Sequence, residues 1–192
     1  MASFGHAPLI LASASPRRRD LLAQIGIVPA RIAPTDIDET RRKDESPRAL
    51  AERLAREKAA ACGADGFVLA ADTVVALGTR NLEKAEDAAE AEAFLRLLSG
   101  RSHQCITGIA VKAPDGRLQS RTVLARVRMK RLTDQEIAAY VASGEWQGKA
   151  GGYGIQGMAG AFITHINGSY TAIVGLPLYE TKSLLEGMGW RG

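Results

Sequence analysis

A chain of 192 residues can bury one full hydrophobic core, as a single domain over residues 1–192 or as two tightly joined lobes. Its composition, 46% hydrophobic and 24% charged, is ordinary for a globular protein. The net charge of +4 suits an anionic ligand but is too small and too scattered to mark stable nucleic-acid binding, and no apolar run reaches the roughly 18 residues of a membrane helix.

The N-terminus lacks a charged segment followed by a continuous apolar one, so no signal peptide is expected. Leu9–Ala12 is a short apolar run that predicts a buried strand. Pro16 then opens a helix with Leu21, Leu22 and Ile25 on one face and Gly26 at its end. Val28–Ala33 reads as extended and leads to the acidic turn "TDIDET", residues 35–40. "ESPRALAERLAREKAAAC" predicts a second helix, with Ser46 as N-cap, Pro47 in its first turn, and Leu50, Leu54 and Ala61 on its apolar face.

Residues 66–77, "GFVLAADTVVAL", form a Val-rich run that predicts a buried strand, interrupted only by Asp72 and Thr73. "AEDAAEAEAFLRLLSG" predicts a third helix closed by Gly100. Residues 103–111 and 117–130 read as strands joined by the turn "PDG". Thr133 and Glu136 form a capping box for a fourth helix ending near Ser143, and a glycine-rich loop follows at 148–157. "GAFITHI" and "SYTAIV" flank Asn167-Gly168, a hairpin signal, and a last helix runs from Pro177 to Met188. Helices and strands alternate and then pair as hairpins, so the fold class is α/β with a mixed sheet flanked by helices.

Three features carry chemistry. Ser13, Ser15 and the arginines 17–19 stand where a strand turns into a helix. The first turn of a helix offers unpaired N–H groups and the positive end of its dipole, and hydroxyls and guanidinium groups there make a phosphate cradle. Cations oppose that dipole, so capping alone would call for Asp or Glu. The second feature is Asp72, because a carboxylate inside an apolar strand costs several kcal/mol unless it is paired or holds a metal. Glu39, Lys58 and Lys84 are surface decoration unless one cleft gathers them around it.

The third is "GYGIQG", residues 152–157, which matches the dinucleotide fingerprint in letters only. That fingerprint needs a strand before it and a helix after it, whereas a loop precedes this one and a strand-like run follows. Its glycines fit a tight loop, and Gln156 offers an amide donor and acceptor that complement N3–H and O4 of uracil or thymine. Cys62 and Cys105 match no disulfide or zinc pattern and read as reduced thiols of a cytoplasmic protein. His6, His103 and His165 are too dispersed for a metal centre.

Taken in order, "LASASPRR", "ESPRALAERLAREKA", "ADTVV", "LRLLSGRSHQCITGIAV", "GGYGIQGMAGAFI" and "NGSYTAIVGLPL" resemble the Maf family of nucleoside triphosphate pyrophosphatases across nearly the whole chain. The resemblance implies an elongated two-lobed fold, like that of inosine triphosphate pyrophosphatases, with a central cleft. It implies cleavage of a nucleoside triphosphate between the α- and β-phosphates, a divalent metal such as Mg²⁺ or Mn²⁺, a house-cleaning role and often a homodimer. Asp72 falls on the family's proton acceptor, and Ser13, Arg18, Glu39, Lys58 and Lys84 fall on its phosphate and metal cleft. On this reading Glu39 and Asp72 would hold the metal. Arg17, Thr73 and Gln156 match the specificity positions of the branch acting on dTTP and UTP. The family usually has proline where Ala85 follows Lys84, which leaves this loop less rigid. The alternatives are a 7-methyl-GTP pyrophosphatase of the same fold and a non-catalytic septation regulator, although the latter has no need for a buried Asp72.

Overall fold

The computed structural model describes residues 7–192, so His6 and the expectation of no signal peptide lie outside or at the margin of what is described. Its elements are β1 (Leu9–Leu11), α1 (Pro16–Gln24), β2 (Arg31–Ile32), α2 (Pro47–Ala61), β3 (Phe67–Leu77), β4 (Arg80–Leu82) and α3 (Ala88–Leu98). There follow β5 (Ser102–Lys112), β6 (Leu118–Met129), α4 (Asp134–Ala142), a 3₁₀ turn (Met158–Phe162), β7 (Ile163–Asn167), α5 (Tyr170–Val174) and α6 (Leu178–Met188). No helix among the described residues is long and apolar enough to cross a membrane.

Seven strands make one mixed sheet in the order β2-β1-β3-β5-β6-β7, with β4 also on β3. Strand β1 is parallel to β2 and β3, and the other pairs are antiparallel. Strand β5 covers one edge of β3 from Val68 to Ala76. The other edge is shared: β1 pairs with Phe67–Leu69, and β4 pairs with Val75–Leu77. Between them the edge of β3 is open, and Asp72 and Thr73 sit in that gap. A crevice at such a break in strand order is where open α/β sheets bind ligands.

Alternation along β3 sends its side chains to two faces. Val68, Ala70 and Val74 pack on the face that α2 covers with Leu50, Leu54, Ala55 and Ala59. The opposite face carries two clusters, one on each side of the gap. Leu9, Leu11, Phe67 and Leu69 pack with Leu21 and Leu22 of α1 and Leu184 and Leu185 of α6. Val75, Leu82, Cys105 and Val127 pack with Phe94 and Leu95 of α3 and Tyr140 of α4. Two packed groups therefore share the long strands and leave a cleft between them.

The sequence reading and the structure differ in four places. The Asn167-Gly168 hairpin does not form: β7 ends there, and "SYTAIV" is the short helix α5, not a strand. Ser169 caps that helix by accepting from the Ala172 amide at 3.2 Å, and Gly168 lies so close to β6 that a Cβ would come within 2.9 Å of the Leu124 carbonyl. Capping and tertiary contact override the β preference of Val, Ile and Tyr. Strand β4, unforeseen, folds back from β3 across Gly78, whose φ of 62° glycine adopts without strain. Of Val28–Ala33 only Arg31 and Ile32 pair as strand, and Ala61 is exposed.

Helix α2 approaches the sheet most closely at Gly108, the β5 partner of Asp72. A Cβ there would lie 2.2 Å from the Ala51 carbonyl oxygen. Gly108→Ala is expected to lift α2 from the sheet and cost about 1–3 kcal/mol or more, as overpacking does. Urea unfolding measures this directly. A loss below about 0.5 kcal/mol, the scatter of neutral surface changes, would mean that the helix is not seated on this glycine.

Candidate active site

A cavity of about 550 Å³ opens at the gap in the edge of β3. It is lined by the nine residues that the family resemblance points to, Ser13, Arg17, Arg18, Glu39, Lys58, Asp72, Thr73, Lys84 and Gln156, and by Ser15, whereas Arg19 stays outside it. These come from six separate stretches of chain.

The β1–α1 turn forms one wall. Ser15 is the N-cap of α1, yet its side chain makes no capping bond, and no acidic residue stands in the first turn. The helix start is therefore open to a ligand anion. Ser13 is buried, and its Oγ accepts from Arg18 Nη1 at 2.9 Å and from the Ser15 amide at 3.3 Å. Arg18 Nε donates to the Gly175 carbonyl at 2.9 Å, which ties α1 to the end of α5. Burial lowers the Arg18 pKa, with Asp72 and Glu39 opposing and Arg17 adding to the fall. Burial also lowers Arg17.

Lys58 organises the opposite wall. Its Nζ lies 2.6 Å from Asp72 Oδ1 and 2.8 Å from Glu39 Oε1, and only 11% of the side chain of either Lys58 or Asp72 is exposed. Asp72 is thus paired, as a carboxylate in an apolar strand must be. Glu39 is half exposed and also reaches Lys84, at 3.8 Å. Burial pushes the Glu39 pKa up, but hydrogen bonding and charge from Lys58, then Lys84, outweigh it and hold the group below its usual value.

The segment carrying Glu39 has no regular structure, so something else must fix it. Arg53 of α2 does so: Nη2 donates to the Thr40 carbonyl at 2.9 Å, and Nε and Nη2 grip both oxygens of Glu45 at 2.7 and 2.9 Å. A planar guanidinium makes such a two-point grip where an ammonium cannot.

Thr73 points to the other face. Its Oγ1 is 2.9 Å from Thr107 Oγ1, and Thr107 donates to the Ala172 carbonyl at 2.8 Å, so the hydroxyl is fixed from behind. Gln156 is exposed on the far rim, in the glycine-rich loop. Lys84 is held by a backbone bridge to Ala150, and Ala85 packs into the core, so contact takes over the stiffening that a proline would give.

Sequence reasoning missed Lys149, Tyr153, Cys105 and Ile173, which line the same cavity. Lys149 lies within the glycine-rich loop, and its cationic side chain was a usable signal. Its pKa is lowered, first by burial and then by the charge of Arg17. Five cations line the cavity against two carboxylates, so it is short of negative charge. Both cysteines are free and buried, and His103 and His165 stand apart, as expected.

No group of three or more His, Cys, Asp or Glu gathers among the described residues to cage a metal. Glu39 and Asp72 both reach Lys58 Nζ, so two carboxylates stand around one ammonium in the cleft. That donor set fits Mg²⁺ or Mn²⁺, which take one or two carboxylates together with substrate phosphates rather than a cage made wholly of protein.

Fold and cavity together define an α/β protein with a cleft for a polyanion. The chain belongs to the Maf family: the family model described as Maf-like protein matches residues 8–188. It is 81% identical over 188 residues to a protein of Hyphomonas neptunium named dTTP/UTP pyrophosphatase, covering 97% of this chain and 98% of that one. A protein of Caulobacter vibrioides with the same name is 60% identical over 186 residues, covering 95% and 96%. Among solved structures, a HAM1 protein from Coxiella burnetii overlays with a TM-score of 0.44 at 19% identity, covering 65% of this chain and 73% of that one.

If the β1–α1 turn is an anion cradle, Arg18→Ala should weaken the binding of inorganic tripolyphosphate about 10- to 150-fold, the range for losing one charge-assisted contact. Titration calorimetry at two salt concentrations measures it. Equal affinity in variant and parent would show that Arg18 only ties α1 to Ser13 and Gly175 and binds no anion.

Proposed function

We propose that this protein hydrolyses dTTP and UTP between the α- and β-phosphates, releasing the nucleoside monophosphate and diphosphate. The observation that carries the reading is the convergence of Asp72, Lys58, Arg18, Thr73 and Gln156 on one cavity with an excess of positive charge. The names of relatives up to 81% identical over nearly the whole chain support it. The house-cleaning role, a cytoplasmic location, a single domain over residues 1–192 and a possible homodimer belong to the same proposal.

In this reading the triphosphate lies across the gap in the β3 edge. Ser13, Arg18, Lys58 and Lys84 bind its oxygens, and their charges stabilise the diphosphate as it departs. Asp72 takes a proton from a water that attacks the α-phosphorus as the bond to the bridging oxygen breaks. Glu39 and Asp72 would hold the divalent cation, which supplies charge neutralisation at phosphate oxygens when bound. Arg17, Thr73 and Gln156 select the base. A purine such as 7-methyl-GTP presents an equivalent O6 and N1–H pair, so against it the selection rests on its larger fused ring and not on the Gln156 amide. A septation regulator without catalysis would leave the buried Asp72–Lys58 pair without a purpose.

The test is diphosphate release from dTTP, UTP, CTP and 7-methyl-GTP, with Mg²⁺ and with excess chelator after metal stripping. We expect dTTP and UTP to exceed CTP by about 5–150-fold in kcat/KM, the cost of a mismatched hydrogen bond, and to exceed 7-methyl-GTP as well. Activity should vanish with chelator and return with metal. A preference for 7-methyl-GTP would overturn the substrate, and full turnover in chelator would overturn the metal. Asp72→Asn keeps the side-chain shape and should lower kcat on dTTP by about 10²–10⁴-fold with an unchanged circular dichroism spectrum. A folded variant with more than about a third of parental kcat would remove Asp72 from proton transfer, since the expected loss is far larger.

A further inference from the structure

Gln156 is exposed and has no side-chain hydrogen-bond partner among the described residues, yet a base-reading amide needs a fixed position. The backbone on each side of it is held from one direction. Before it, the Gly154 amide donates to Tyr140 Oη at 3.0 Å. After it, the Met158 amide donates to Glu145 Oε2 at 2.9 Å. Tyr140 lies in α4 and Glu145 in the turn that follows, and Glu145 is absent from the cavity lining, as is Tyr140.

One glycine makes the second contact possible, and another leaves room for the Lys149 stem. A Cβ on Gly157 would lie 2.0 Å from Glu145 Oε2, so only glycine lets the carboxylate reach the Met158 amide. A Cβ on Gly154 would lie 2.6 Å from Lys149 Cε, so the lysine stem closes over the loop there. Helix α4 is itself a firm support. The Thr133–Glu136 capping box fixes its start, and Tyr140 is fully buried with its ring edge-on to Phe162 at 5.8 Å. Burial pushes the Tyr140 hydroxyl up to about 12, so it stays neutral at physiological pH.

We infer that Tyr140 and Glu145 are positioning residues for nucleobase selection, because a hydroxyl and a carboxylate from one helix and its turn fix the backbone on both sides of Gln156. The inference rests on the reading of Gln156 as the residue that faces the base. Neither group touches substrate. Each acts by holding the Gln156 amide at one distance and angle from a bound ring. A pyrimidine with O4 and N3–H is then accepted, and one with a 4-amino group is not.

The test measures kcat/KM for dTTP, UTP and CTP in the parent, Tyr140→Phe, Glu145→Ala, Glu145→Gln and Gln156→Glu, with a melting curve for each. Tyr140→Phe and Glu145→Ala should each cut the dTTP-over-CTP ratio about tenfold or more, as small misplacements of a recognition group do. Glu145→Gln retains an acceptor oxygen and should recover most of the ratio lost in Glu145→Ala. If Gln156→Glu changes the ratio while Tyr140→Phe and Glu145→Ala lower all three substrates equally, the two residues are merely structural and the inference fails. If Gln156→Glu also leaves the ratio intact, the base-reading role of Gln156 fails first and the inference with it. Should Tyr140→Phe not fold, Glu145→Ala against Glu145→Gln decides alone.

Discussion

One ammonium group sets the terms for the rest of the molecule. Asp72 sits inside an otherwise apolar strand, where an unpaired carboxylate costs several kcal/mol, and Lys58 is the cation that pairs with it. Lys58 can arrive only on a helix packed against that face of the sheet. Gly108, directly across from Asp72, removes the side chain that would keep α2 away. Glu39 must then reach the same ammonium from a segment without regular structure, and Arg53 holds that segment down. A buried ion pair of this kind adds little net stability. Its effect is to fix where two carboxylates and a cation stand before any ligand arrives.

The cations of the cleft are arranged at a cost to one another. Arg17 contributes to the lowered pKa of both Arg18 and Lys149, and burial strips water from all three. Such mutual repulsion makes the cleft favourable for a polyanion. The N-terminus of α1, left without a side-chain cap, is a second vacancy of the same sign. These features favour a ligand with several negative charges close together over a singly charged one.

Local chemistry was readable in the sequence and spatial convergence was not. Pro16 and Pro47 marked helix starts, the Thr133–Glu136 box marked another, and the Val-rich run marked β3 with Asp72 in it. Each depends on neighbours within a few residues. The order of motifs, through the family resemblance, brought Glu39, Lys58, Lys84 and Gln156 to one site, which their individual surroundings could not do. What stayed hidden depends on tertiary contact or on turns without periodicity. Ser169 turns a β-prone stretch into a helix packed on β5 and β6, Gly78 sends β4 back along β3, and Lys149 joins the cavity through a turn with no periodicity. Ala85 likewise shows its role only through the core it enters.

Asp72 and Thr73 are neighbours in sequence, yet the pleat of β3 sends one toward α2 and the other toward α5. Nine successive pairs with β5 lock that assignment. A one-residue deletion upstream within β3 would exchange the faces, putting the carboxylate in the place of Ala71, opposite Ile109 in an apolar cluster, and turning the Thr73 hydroxyl toward Lys58. The strand can therefore drift in sequence by substitution at its apolar positions, but not in length. Its residue count between Phe67 and Asp72 is as much a part of the site as any side chain in it.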